Sequence, residues 1–118
     1  MDWASKVTPE QVKAARARQE DIVDQINDVL GDNDVLCLPT SPRIAPLKNQ
    51  HVDTIEVTYR HQAMGLLCIS GLGGLPQISL PLTEFEGMPL GLSLIARHGN
   101  DEMLLELANS IMGNAGLF

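Results

Sequence analysis

The sequence predicts an α/β layer arrangement, with three helices and a small mixed sheet of about three short strands. Three observations predict it. Three stretches repeat apolar residues at helical spacing between start and stop signals. Runs such as Val35–Pro39 and Gln77–Leu80 are apolar, bounded by turn residues and too short for helices. The two kinds alternate along the chain as helix, strand, loop, helix, strand, strand, helix.

The first helix is expected from Pro9 to about Leu30. Thr8 caps it, Pro9 fits the first helical position, and Gln11 completes a capping box. Ile22, Val23, Ile26, Val29 and Leu30 then keep helical spacing, and Gly31 is the expected stop. Asp32-Asn33-Asp34 reads as a turn. Val35–Pro39 (VLCLP) shows no polar alternation, so it is expected to be a strand covered on both faces. Pro39, Pro42 and Pro46 then forbid helix or central strand, and an irregular loop should last to about Glu56.

A second helix is expected over Val57–Ser70 and ends in Gly71-Leu72-Gly73-Gly74. Gln77–Leu80 and Pro89–Ala96 read as antiparallel neighbours across the Glu86-Gly87 turn. Asn100 is the expected cap of a last helix, with Asp101 and Glu102 in its first turn and Gly113 near its end. Met103, Leu104, Leu107, Ala108 and Ile111 line one face of that helix.

The 118 residues are read as a single domain, 1–118, large enough to bury roughly two-thirds of its unfolded surface. Charged residues make up 19% and hydrophobic ones 44%, a balance expecting some apolar surface to meet a partner. Net charge is −7 and the basic residues do not cluster, which argues against a nucleic-acid partner. Gly, Pro and polar residues break every apolar run before membrane-spanning length. The start, MDWASKVTPEQ, has no apolar signal core, so the expected location is cytoplasmic. Cys37 and Cys68 read as free buried thiols in a reducing compartment.

No catalytic or cofactor motif is complete. GLGG follows a helix and is followed by no Lys-Ser or Lys-Thr pair, so it is not a phosphate loop. A tight helix-to-strand turn is the expectation. His61 and Cys68 are seven residues apart on one helix face, about 10 Å along the axis, too far for a dyad. His51, His61 and His98 lack metal-ligand spacing, and no metal or cofactor is expected. None of Ser5, Ser41, Ser70, Ser79, Ser93 and Ser110 lies in G-x-S-x-G.

Four blocks nevertheless form a pattern: DVLCLPTSP at Asp34–Pro42, GLPQISLP at Gly74–Pro81, GMPLGLSLI at Gly87–Ile95, and DEMLLELA at Asp101–Ala108. In order and spacing they resemble the C-terminal part of amidase signature enzymes, over nearly the whole chain from about Gln11. IARHGND is similar to the branch acting on small or aryl amides such as indoleacetamide. The resemblance implies a larger sheet surrounded by helices, and a Ser–cis-Ser–Lys triad in the N-terminal portion of the complete enzyme. This sequence contains no Ser-Ser pair, so no catalytic residue is assigned to it.

By the same resemblance, Met64, Ser70, Gly71, Gly73, Gly74 and Leu75 border a substrate pocket. Gly71, Gly73 and Gly74 would allow close packing. Met64 and Gly71 stand where amidotransferase members carry acidic and polar residues, which favours an apolar acyl or aryl pocket. The expected role is a non-catalytic C-terminal portion of an amide hydrolase, partnered by the missing N-terminal portion or by self-association. A homo-oligomer would bury Leu36, Ile78, Leu80, Leu92 and Leu94. A stand-alone α/β interaction module complementing a separate N-terminal half is the alternative. A free-standing enzyme is the third reading.

Overall fold

The structure is a computed structural model and describes residues 4–116; Met1–Trp3 of the expected leaderless start lie outside the described residues. After a short 3-10 turn, Ala4–Lys6, the elements are α1 (Pro9–Val29), β1 (Val35–Pro39), a π-helical turn (Thr54–Tyr59), α2 (Arg60–Gly73), β2 (Gln77–Phe85), β3 (Met88–Ala96) and α3 (Asp101–Asn114). The strands lie in the order β1-β3-β2. Both pairings are antiparallel, so the sheet expected to be mixed is antiparallel throughout.

The start of α1 follows the sequence. Thr8 accepts from the Gln11 N–H at 3.3 Å, and the Gln11 side chain accepts from the Thr8 N–H at 2.9 Å. The Glu10 carboxyl is held below its ordinary value, first by backbone hydrogen bonding and then by Thr8. This end is therefore favoured at neutral pH and loses that contribution as acid protonates Glu10. The other end differs from expectation. Leu30 closes α1 in an extended conformation, and Gly31 donates its N–H to Asp34 Oδ2 at 2.8 Å instead of turning left-handed. At α3, Asn100 makes no side-chain cap. Its amide donates to the Asp32 carbonyl at 2.5 Å, and Arg97 reaches Asp32 Oδ1 at 3.2 Å. These contacts tie the turn before β1 to the turn after β3.

Strand β3 lies between two apolar clusters. On one face, α3 places Leu104, Ala108 and Met112 against Leu80, Leu94 and Ala96. On the other, Ile26 of α1 and its cap Leu30 meet Leu75 and Ile95, with Ile69 of α2 and Leu36 and Leu38 of β1 alongside. Leu80 and Leu94, expected in an oligomer interface, are thus covered by the chain's own α3. Strand β1 is an edge strand whose faces are covered only in part: Val35 packs against one cluster and Leu36 and Leu38 against the other, while Cys37 and Pro39 are exposed. Cys68 is half-buried, so neither thiol is fully buried as expected.

Strand β2 outruns its expected end at Leu80 by means of a bulge. The hairpin pairs Phe85 with Met88 and Thr83 with Leu90, then shifts so that Leu80 pairs with Leu92. Pro81 and Leu82 therefore oppose the single residue Gly91, a two-against-one bulge where a missing proline N–H is tolerated.

The chain is a flat slab of 52 × 43 × 18 Å. Its radius of gyration is 17.4 Å, where a compact domain of this length has about 13–14 Å. Its surface is 8779 Å², where a folded monomer of 12.8 kDa has roughly 6,300 Å².

Leu104 is 3% exposed and its neighbour Leu105 is 56% exposed. Leu104→Ala should lower the unfolding free energy by about 2–5 kcal/mol. Leu105→Ala should change it by less than about 0.5 kcal/mol. Urea midpoints at unchanged slope would check both.

Candidate functional site

The end of α2 and the strands beneath it form one polar centre. Gly74 closes α2 in the left-handed conformation, φ +61°, and donates its N–H to the Ser70 carbonyl. A glycine is needed there because a side chain is strained at that φ. The Gly74 carbonyl lies 2.8 Å from His98 Nδ1 in the loop after β3. Gly73 is needed for another reason, since a Cβ there would come within 3.1 Å of Ile26 Cδ1 on α1. Gly71 has open space around it, so close packing is found at Gly73 and not at Gly71.

Below this turn runs a chain of hydroxyls and one amide. Ser70 Oγ donates to Gln77 Oε1 at 2.5 Å. Gln77 Nε2 donates to Ser93 Oγ at 3.0 Å. Ser93 Oγ lies 2.9 Å from Thr40 Oγ1, which lies 2.6 Å from Ser79 Oγ. Ser93 is fully buried, so its own proton must be used inside the protein. It accepts from Gln77 and shares a hydrogen bond with Thr40, which shares another with Ser79. Ser79 lies at the exposed end of the chain. Gly91 makes the junction possible, because a Cβ there would lie 2.7 Å from Thr40 Oγ1 and 2.9 Å from Ser79 Oγ.

A serine needs a base within hydrogen-bond reach, and these hydroxyls bond to one another and to Gln77. Among the described residues no group of three His, Cys, Asp or Glu gathers to hold a metal. His51 contacts Asp53 on the surface, 3.5 Å from its carboxylate. The arrangement fixes geometry, joining the end of β1, the middle of β2 and β3, and the last turn of α2.

The residues expected to border a pocket fall into two groups. Met64, 59% exposed, and Gly71 lie seven residues apart on an open face of α2. Ser70, Gly73, Gly74 and Leu75 form the turn itself, and Leu75 and Gly73 point toward Ile26 in the core. Sequence reasoning missed Thr40, Gln77, Ser79 and Ser93. A signal was present: Gln77 and Ser79 are two apart on one strand face, and Ser93 lies on the paired strand.

Ser93→Ala removes one hydrogen bond each from Thr40, which keeps Ser79, and from Gln77, which keeps Ser70, and should cost about 1–3 kcal/mol of stability. Ser79→Ala removes only the exposed end and should cost less. Urea denaturation of the two variants would give the order.

The amidase sequence profile matches residues 3–105. Amidase 1 of Arabidopsis thaliana is 32% identical over 111 residues, covering 94% of this chain and 26% of that protein. Outer envelope protein 64 of Arabidopsis chloroplasts is 30% identical over 106 residues, covering 90% of this chain and 18% of that protein. Among solved structures, a glutamyl-tRNA(Gln) amidotransferase subunit from Thermotoga maritima superposes with a TM-score of 0.74. It is 29% identical and covers 87% of this chain and 22% of that one. A 6-aminohexanoate cyclic dimer hydrolase, at 23% identity and TM-score 0.69, shares the fold. The chain spans about a quarter or less of the length of these relatives, and the part it matches is their C-terminal portion. With the family's pattern running from residue 3 to residue 105 and the same fold in its solved relatives, this chain belongs to the amidase family.

Proposed function

We propose that this chain is the non-catalytic C-terminal portion of an amide hydrolase. The complete enzyme would convert a carboxylic amide and water to an acid plus ammonia or an amine. The surplus of surface carries this reading. A chain spanning 26% or less of its relatives exposes 8779 Å², well above the roughly 6,300 Å² of a self-sufficient monomer. Its radius of gyration of 17.4 Å agrees. Such a slab is the shape of one part of a larger core.

Within that enzyme, Met64 and Gly71 would form one wall of the substrate pocket, and Ser70, Gly73, Gly74 and Leu75 would set the shape of its turn. Both open positions are uncharged, which suits an apolar acyl or aryl group. The hydroxyl chain from Ser70 to Ser79 would hold this wall against the sheet. The remaining portion of the enzyme is the partner this reading requires. A cytoplasmic location belongs to the same reading and is supported by two free thiols, Cys37 and Cys68. No helix among the described residues is long and apolar enough to cross a membrane.

Two assays test the proposal. The purified chain, offered indoleacetamide, benzamide, propionamide and glutamine, should release no ammonia above background. Release that scales with its concentration would overturn the non-catalytic assignment. In the second, the chain replaces the matching segment of Arabidopsis Amidase 1. A soluble chimera should hydrolyse amides, and Met64→Asp in it should lower kcat/KM for aryl amides by about tenfold or more. A well-folded, inert chimera would remove the family role.

A further inference from the structure

We propose that His98 is a positioning residue for the substrate pocket. Its Nδ1–H pins the Gly74 carbonyl and so fixes the turn from Ser70 to Leu75 in the shape that receives an apolar acyl or aryl group. This role rests on the amide-hydrolase reading, and it can fail while that reading stands.

The turn needs a restraint from outside itself. Three of the four residues from Gly71 to Gly74 are glycines. A glycine backbone gives up more freedom on folding than any other, so such a segment does not hold its own shape. Packing restrains Gly73 against Ile26, but Gly71 has open space around it. A binding group misplaced by about 1 Å can cost about a hundredfold in rate. Two side chains from other elements supply the restraint. Gln19 of α1 donates to the Leu72 carbonyl at 3.1 Å, and His98 takes the Gly74 carbonyl at 2.8 Å. A carbonyl only accepts, so Nδ1 carries the proton. Gly74 is thus held at both of its backbone groups, the N–H by the Ser70 carbonyl and the C=O by His98.

His98 continues a ladder that the backbone begins. Gln77 pairs with Ile95, and the Ala96 N–H donates to the Pro76 carbonyl at 3.2 Å. Two residues past Ala96, beyond the end of β3, the His98 ring reaches Gly74, two residues before Pro76. The side chain takes over where backbone pairing has stopped.

The ring is presented by an anchored turn. The Asn100 N–H donates to the Arg97 carbonyl at 3.0 Å, so His98 and Gly99 form the centre of a four-residue turn. Gly99, at φ +86°, occupies its third position. Both ends of this turn are tied to Asp32. Arg97 meets the carboxylate at 3.2 Å, and the Asn100 side chain donates to the backbone carbonyl at 2.5 Å. A line of contacts therefore runs from Asp32 through the turn to the Gly74 carbonyl. The hydroxyl chain reaches the pocket border at Ser70, and His98 reaches it at Gly74.

Amide hydrogen exchange on the native 118-residue chain tests the restraint. His98→Ala should speed exchange of the Gly74 and Leu75 N–H groups, both bonded to the Ser70 carbonyl, by about fivefold, the worth of one ordinary hydrogen bond. Leu104 and Ala108 in α3 should exchange as before. His98→Asn, whose amide can donate in place of Nδ1–H, should restore protection. His98→Leu keeps bulk without a donor; it should match His98→Ala and stands in for it if that variant unfolds. In the Amidase 1 chimera, the variants without the donor should raise KM for indoleacetamide by about fivefold at unchanged kcat and leave propionamide unaffected. Unchanged exchange at Gly74 and Leu75, no rescue by His98→Asn, or an equal loss of kcat on both amides overturns the proposal. So does failure of both donorless variants to fold. A chimera that is inert with native His98 overturns the amide-hydrolase reading and this role together, whereas an active chimera indifferent to His98→Ala overturns this role alone.

Discussion

A hydroxyl with no access to water has to find its partners within the protein, and Ser93 in the middle of the central strand is such a hydroxyl. Its neighbours are arranged around that need. Thr40 approaches from the end of β1 and Gln77 from the start of β2. Gln77 passes the constraint to Ser70 in the last turn of α2, and Thr40 passes it to Ser79. The loop after β1, both strands of the hairpin and the end of α2 are therefore positioned by one buried oxygen. The apolar clusters on the two faces supply the driving force for folding. They are non-directional, and the polar chain is what selects one register.

That selection depends on the bulge. If the register set at the Glu86-Gly87 turn continued unbroken, Ser79 would stand opposite Leu94. Doubling Pro81 and Leu82 against Gly91 brings Ser79 opposite Ser93 instead. The small residue at Gly91 then leaves room for the two hydroxyls above it. A proline, a glycine and a pair of serines, each ordinary alone, form one device.

Much of the fold was legible in the sequence because local signals agreed. The Thr8–Gln11 capping box, the helical spacing after Ile22 and the glycines that end α2 all correspond to elements of the structure. What escaped was tertiary in origin. The apolar run VLCLP reads the same whether a strand is buried on two sides or lies at an edge awaiting cover, so Cys37 was expected inside. Asn100 has the chemistry of a cap, but a distant carbonyl at Asp32 claims its amide. Pro81 ends a regular strand by rule, and only the pairing with β3 shows that a bulge carries the strand past it. The expectation of a pocket border at Met64 and Gly71 rests on the family pattern alone, since neither residue carries a local signal of function.

The order in which the strands pair has a consequence for synthesis. β2 and β3 are joined by a tight turn and can pair as soon as both exist. β1 waits, because its only partner among the described residues is β3, whose last residue in the pairing is Ala96. At about 5–20 residues per second, the ribosome takes roughly 3–11 s to reach it after finishing β1. Throughout that interval an uncharged, apolar strand lacks the partner that β3 will supply, while α1 beside it is complete. This newborn segment, more than any part of the finished fold, is where a holding chaperone would act and where misassembly on crowded ribosomes would start.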